Sequence, residues 1–122
     1  MKIRQPLLHG AAAVLFAAIA PLAFAHAHPK QRVPDAGATV PVATANVAID
    51  FDEGLEPAFS SLKVTDAAGQ AATRDASSVS GSDKKHMSVD LAALKPGVYT
   101  VNWVAVATDG HRTQGTYTFT AQ

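Results

Sequence analysis

Residues 98–107 read VYTVNWVAVA, the longest strand-like pattern in the chain. Apolar or aromatic side chains recur there at every second position, as expected for a β-strand that buries one face. These positions are Tyr99, Val101, Trp103 and Ala105. Val104 and Val106 make the other face apolar as well, so we expect an interior strand of a sheet.

Turn signals bound this strand on both sides. Residues 95–97 (KPG) precede it, and residues 109–110 (DG) follow it as a dipeptide typical of β-hairpins. Tyr117 and Phe119 then alternate with polar residues, which predicts a last strand that pairs back on residues 98–107.

Shorter runs with the same two-residue period fill much of the preceding chain. Their apolar positions are Val47, Ile49, Phe51, Leu62, Val64, Met87, Val89 and Leu91. Because no long helical period appears, the pattern predicts an all-β domain, a small antiparallel β-sandwich or barrel with Greek-key connections. We expect this domain over about residues 36–121, with residues 26–35 as an N-terminal arm.

Residues 1–25 have the pattern of a signal peptide. Basic residues near the start precede a mostly apolar run at 7–20, and residues 23–25 (AFA) are the small-x-small pattern that signal peptidase accepts. The apolar run falls short of the roughly 20 residues that a membrane span needs. We expect cleavage before His26, which would leave a mature chain of 122 minus 25, or 97, residues in the periplasm.

Charge and composition exclude several classes of function. The full chain has 10 basic and 10 acidic residues, and removal of Lys2 and Arg4 leaves 8 against 10, a net charge of −2. Such a chain lacks the basic surface that nucleic acids require of their partners. The absence of cysteine excludes disulfides, thiolate nucleophiles and Cys-type metal sites.

The mature amino terminus is the first candidate metal ligand. After cleavage, His26 offers its α-amine and its imidazole Nδ1, two nitrogens that can close a chelate ring on one ion. Protons compete with a metal for both nitrogens near neutral pH, so affinity is expected to fall in acid.

Asp109 and His111 form the second candidate. Their two-residue spacing places both side chains on one face of an extended segment, and Gly110 lets the backbone turn so that carboxylate and imidazole converge. The alternative is an ordinary turn, in which Asp109 accepts backbone hydrogen bonds and His111 is an exposed strand residue.

Together these residues offer an amine, two imidazoles and a carboxylate, a set that suits tetragonal Cu(II) better than Mg or Ca. Zn and Ni accept the same ligands, but the affinity order favours Cu(II). His28 could instead hold Cu(II) locally with the terminal amine and the intervening amides. Glu53 is a further candidate, as an oxygen ligand or as an acceptor for an imidazole N–H. The alternative for both residues is a solvated side chain.

Several segments together resemble the CopC family of periplasmic copper-binding proteins. They are residues 26–29 (HAHP), 51–57 (FDEGLEP), 95–103 (KPGVYTVNW) and 109–111 (DGH), followed by Gly115 and Phe119. The resemblance covers essentially all of residues 26–122. It implies an immunoglobulin-like, cupredoxin-like β-sandwich or barrel that binds one Cu(II) in the periplasm.

Taken residue by residue, the resemblance implies that His26, Asp109 and His111 bind copper, and Glu53 falls where some family members have a carboxylate near the metal. It also implies copper homeostasis or resistance, with delivery to a CopD-like inner-membrane partner. Members with a second, Cu(I) site have a methionine-rich loop. Because Met87 is the only methionine after residue 25, no Cu(I) site is expected here.

Three classes of function are open at this point. The leading hypothesis is a monomeric, non-enzymatic Cu(II) carrier or buffer. A terminal histidine with a second histidine also resembles the histidine brace of lytic polysaccharide monooxygenases, although Asp109 as an added ligand would fill a position that oxygen chemistry needs open. The third is a metal-free adhesion or assembly module that uses its sheet edges.

Overall fold

The computed structural model describes Lys2, Ala13 and residues 26–122, so most of the predicted signal peptide lies outside the described residues. The strands, in chain order, are β1 (Pro29–Val33), β2 (Thr39–Val40), β3 (Asn46–Phe51), β4 (Ser61–Thr65), β5 (Ser78–Ser80), β6 (His86–Asp90), β7 (Gly97–Val106) and β8 (Arg112–Ala121). In this described part of the chain, no helix is long and apolar enough to cross a membrane.

The strands form two four-stranded sheets. Sheet A has the order β1-β3-β6-β5, and sheet B has the order β2-β8-β7-β4. The inward-facing side chains of both sheets belong to one apolar core. The predicted all-β fold class is therefore confirmed, as a sandwich rather than a closed barrel.

The pattern at residues 98–107 becomes β7, which lies in the interior of sheet B as predicted. Its alternating side chains are buried from Tyr99 to Ala105. β8 pairs with β7 along the whole length of both strands, with Phe119 opposite Tyr99 and Tyr117 opposite Val101. Hydrophobic alternation thus set the register of this hairpin, because a shift by one residue would turn the buried set toward solvent.

Aromatic side chains link the elements of the core. The Phe51 ring of sheet A meets the Trp103 ring of sheet B edge-on, with centroids 5.4 Å apart. Tyr99 stacks on Phe119 at 5.5 Å. The Tyr99 hydroxyl donates to the Lys95 carbonyl at 2.7 Å and accepts from the Lys95 amide at 2.9 Å, which fixes the turn before β7.

Two expectations about the N-terminal part were wrong. Residues 26–35 are not an arm outside the domain, because β1 pairs antiparallel with β3 at the edge of sheet A. Its sequence, PKQRV, shows no alternation because both of its faces are largely exposed. The sandwich is also not purely antiparallel: the chain crosses from sheet A to sheet B after β1, and β2 then runs parallel to β8.

Gly115 provides a test of the core packing. It lies opposite Trp103, and a Cβ at this position would come within 2.6 Å of the indole ring. We expect Gly115→Ala to displace Trp103 and to lower the free energy of unfolding by about 1–3 kcal/mol in urea denaturation. Gln114→Ala serves as the control, because Gln114 is an exposed neighbour on β8. This change should alter the free energy of unfolding by less than about 0.5 kcal/mol. A Gly115→Ala protein with unchanged stability would contradict this packing.

Candidate metal centre

The loop 107–111 joins β7 to β8 at one end of the sandwich and carries Asp109 and His111. Gly110 has a φ of +89°, which L side chains rarely adopt. Its amide donates to the Ala107 carbonyl at 2.8 Å, and the Ala107 amide donates to the His111 carbonyl at 2.9 Å. This tight turn folds Asp109 back toward His111.

Both carboxylate oxygens of Asp109 face His111. Oδ1 accepts a hydrogen bond from the His111 amide at 3.0 Å, and Oδ2 lies 3.0 Å from the ring nitrogen Nδ1. The amide hydrogen bond, followed by the contact with the ring, holds the pKa of the Asp109 carboxyl below its ordinary value, while desolvation acts in the opposite direction. The turn and the convergence of side chains, posed as alternatives in the sequence, are therefore both present.

The contact with Asp109 also orients the His111 ring. A carboxylate beside Nδ1 favours the tautomer with its proton on that nitrogen. Nε2 is then the ring nitrogen that can bind a metal ion. Metal-binding histidines commonly have such a carboxylate at their other nitrogen, which fixes the ring and raises its basicity.

Residues 26–28 dock across the same end of the sandwich. Ala27 is fully buried, and its carbonyl accepts a hydrogen bond from the Thr113 hydroxyl of β8 at 2.7 Å. The His28 amide donates to Asp52 Oδ1 at 2.7 Å, and the His28 carbonyl accepts from the Asp52 amide at 3.0 Å. Because Asp52 follows β3 directly, the segment is held by both sheets.

This docking places the His26 ring beside the His111 ring, with centroids 5.2 Å apart. Two imidazoles that share one ion, each with its nitrogen at about 2.0 Å from the metal, have centroids about 4.5 to 6.3 Å apart, depending on the angle at the metal. The two rings therefore fit a common ion. The His28 ring is 6.1 Å from the His26 ring, which is also within this range but near its upper end, where the two nitrogens would lie on opposite sides of the ion. The His28 Nδ1 is 3.6 Å from Asp52 Oδ2.

The set of donors depends on the state of the terminus. Across the described residues, no group of three or more His, Asp or Glu side chains is already arranged to hold a metal ion. In the full-length chain the His26 nitrogen is a peptide nitrogen bonded to Ala25. Cleavage before His26 would turn it into an amine, so the four donors that suit Cu(II) exist together only in the processed chain.

Glu53 lies in the loop after β3, which borders the loop 107–111. The Thr108 amide donates to the Gly54 carbonyl at 3.1 Å, and Leu55 pairs with Ala107 in an isolated bridge. Glu53 itself is exposed, and it is the preceding Asp52 that contacts residues 26–28. A role for Glu53 at the metal stays a prediction.

Asp52 and Thr113 are the residues of this region that sequence reasoning missed. Thr113 follows His111 by two positions, so the two-residue period of an extended chain places both side chains on the same face and could have marked Thr113. Its partner could not be found in this way, since Thr113 and Ala27 are 86 positions apart. Asp52 carries no signal beyond its position at the end of a strand.

Comparison with known protein families gives a match to the CopC domain over residues 30–122. Protein YobA of Escherichia coli (strain K12) is 38% identical over 105 residues, which cover 85% of each chain. Copper transport protein CutJ of Bacillus subtilis (strain 168) is 32% identical over 97 residues, which cover 79% of this chain and 18% of CutJ.

The fold is similar to the crystal structure of PcoC, a methionine-rich copper resistance protein from Escherichia coli. The match covers 80% of this chain and 100% of PcoC, with a TM-score of 0.68 and 33% sequence identity. The two chains differ in one relevant respect, because residues 26–122 of this chain contain Met87 as their only methionine.

The Asp109 carboxyl gives a direct test of the loop geometry in the metal-free protein. We expect its carboxyl carbon, followed by ¹³C NMR, to titrate below the ordinary range of Asp. In His111→Ala the depression should shrink but persist, because the backbone amide, its largest cause, is retained.

The depressed pKa also fixes the sign of the pH effect. This contact stabilises the folded protein above the pKa of the unfolded state, and the stabilisation is lost as the pH falls through the folded-state pKa. An ordinary titration curve for Asp109 in the parent protein would contradict the hydrogen-bonded turn.

Proposed function

The chain belongs to the CopC family of copper-handling proteins, and on this basis we propose that it is a periplasmic Cu(II) carrier or buffer. One Cu(II) is bound at the mature amino terminus, by the amine and imidazole of His26 together with Asp109 and His111. The observation that carries the proposal is the 5.2 Å approach of the His26 and His111 rings. His26 and His111 are 111 minus 26, or 85, positions apart in the sequence. The docking of Ala27 on Thr113 brings them together at one end of the sandwich.

The chemistry of these donors favours Cu(II) over Cu(I). Neutral nitrogens and one carboxylate are ligands for Cu(II), whereas Cu(I) prefers thioethers or thiolates. Met87 is fully buried in the core, and the chain has no cysteine. The carboxylate of Asp109 offsets part of the charge of the ion and keeps its ligand His111 oriented.

A carrier accounts for these donors better than an enzyme does. An amine, two imidazoles and a carboxylate complete the four strong positions of tetragonal Cu(II), which leaves none of them for the oxygen species of an oxidative enzyme. We therefore expect no peroxide-dependent turnover of polysaccharide by the copper-loaded protein. Polysaccharide cleavage that requires His26 would favour the histidine-brace enzyme instead.

The proposed partner is a CopD-like copper transporter of the inner membrane. Support comes from CutJ, a copper transport protein in which a segment similar to this chain forms a small part of a much longer one. The amino terminus at an exposed end of the sandwich suits transfer, because incoming ligands can replace its donors one at a time. The protein is proposed to act as a monomer.

Copper titration tests the proposal. Mature protein that begins at His26 is expected to bind one Cu(II), with the paramagnetic resonance spectrum of a tetragonal site rich in nitrogen. One additional residue before His26 removes the amine from the site, and His111→Ala removes an imidazole. Each change is expected to weaken binding by about 100-fold or more, since even changes outside the ligand set cost 10- to 100-fold.

His86→Ala is the matched control for this titration. His86 is also half-exposed and also faces a carboxylate, with Nδ1 2.6 Å from Asp50 Oδ1, but it lies on β6, which β3 separates from β1 in sheet A. Its loss should leave Cu(II) affinity unchanged. Binding that survives both the N-terminal extension and His111→Ala would overturn the proposed site.

A further inference from the structure

A second mode of copper binding competes with the proposed site. A free terminus of sequence His26-Ala27-His28 can wrap Cu(II) through its amine, the amide nitrogens of Ala27 and His28, and the His28 imidazole. This local mode needs three residues and no folded domain. Some feature of the fold must suppress it if copper is to bind His111.

We propose that Asp52 is a specificity-determining residue that selects the folded copper site over the local mode. It does so by holding the His28 backbone in a conformation that cannot wrap around the ion. This inference rests on the proposed function, in which Cu(II) binds at the mature terminus. Asp52 acts through the backbone of the terminal segment and is not itself a copper ligand.

The first argument is the hydrogen bond at the His28 amide. This nitrogen can bind Cu(II) only after it loses its proton, and in the structure it donates that proton to Asp52 Oδ1 at 2.7 Å. Loss of the proton would remove this hydrogen bond and leave the nitrogen facing the lone pairs of an oxygen acceptor, which is unfavourable. The His28 carbonyl is also engaged, by the Asp52 amide at 3.0 Å.

The second argument is that one peptide group is held from both sides. The peptide between Ala27 and His28 has its carbonyl bonded to the Thr113 hydroxyl at 2.7 Å and its amide bonded to Asp52. Ala27 is fully buried. Rotation of this peptide to direct its nitrogen at an ion beside His26 would break both hydrogen bonds and expose Ala27 to water.

The third argument is the position of the His26 and His28 rings. The His28 side chain is 65% exposed and its Nδ1 lies 3.6 Å from Asp52 Oδ2, so the ring is drawn toward Asp52. The His26 ring meanwhile lies closer to His111 than to His28. The His28 imidazole thus has a carboxylate partner in Asp52, while the His26 imidazole lies nearer to His111 than to His28.

The experiment uses mature protein that begins at His26 and Cu(II) alone as the probe. Asp52→Ala removes the acceptor, and Asp52→Asn retains an oxygen that can accept the same hydrogen bond without the charge. Asp50→Ala is the matched control, because Asp50 is also a carboxylate beside a histidine, but its Oδ1 contacts the His86 ring at 2.6 Å rather than the His28 backbone. Each protein is prepared with and without His111→Ala.

Three readouts separate the modes. Amide nitrogens give Cu(II) a stronger ligand field than imidazole and carboxylate, so the local mode absorbs visible light at shorter wavelength and has a distinct paramagnetic resonance spectrum. The effect of His111→Ala on affinity reports whether the folded site is used. Hydrogen exchange of the His28 amide in the metal-free protein reports the hydrogen bond without any copper.

We expect the parent protein, Asp50→Ala and Asp52→Asn to show the folded-site spectrum and to lose about 100-fold or more in affinity with His111→Ala. In Asp52→Ala the His28 amide should exchange faster, the absorption should move to shorter wavelength, and His111→Ala should no longer weaken binding.

Two results would overturn the role of Asp52 while leaving the proposed function intact. One is an Asp52→Ala protein that keeps the folded-site spectrum and its dependence on His111. The other is an Asp52→Asn protein that shifts as Asp52→Ala does, which would contradict the hydrogen-bond argument. A parent protein that already binds copper independently of His111 would overturn the proposed function itself, and the inference with it.

Discussion

The peptide group between Ala27 and His28 is the contact on which the candidate site depends. Its carbonyl is held by Thr113 of sheet B and its amide by Asp52 at the end of a strand of sheet A. An undocked terminus would have to be ordered when copper binds, at a cost of about 1–2 kcal/mol for each backbone residue. Because the hydrogen bonds of this docking are made by the protein itself, that cost is met by folding, which places His26 beside His111.

The remainder of the sandwich supplies a rigid frame for this contact. β7 and β8 pair over their whole length, and their loop carries Asp109 and His111 in a turn fixed by its own hydrogen bonds. Binding residues on loops at the end of a sheet can change without disturbing the core beneath them. The proposed copper site would therefore lie on loops at one end of the sandwich, above a core that it does not interrupt.

The sequence predicted the parts of the fold in which burial follows a period of two, above all β7 and β8. It did not predict β1 or β2, because edge strands with exposed faces show no alternation. Within the site, the convergence of Asp109 and His111 followed from their spacing. The contacts of Ala27 and His28 join residues far apart in the chain, and no local pattern encodes such pairs. Cleavage before His26 and ligation of copper stay predictions.

The most direct test of the central claim is a crystal structure of the mature protein with Cu(II) bound. The account predicts one ion within about 2.0–2.2 Å of the His26 amine and imidazole, an Asp109 oxygen and a His111 nitrogen. The peptide between Ala27 and His28 should still be bonded to Thr113 and Asp52. An ion bound to the amide nitrogens of Ala27 and His28, with His111 outside its ligand set, would contradict the account.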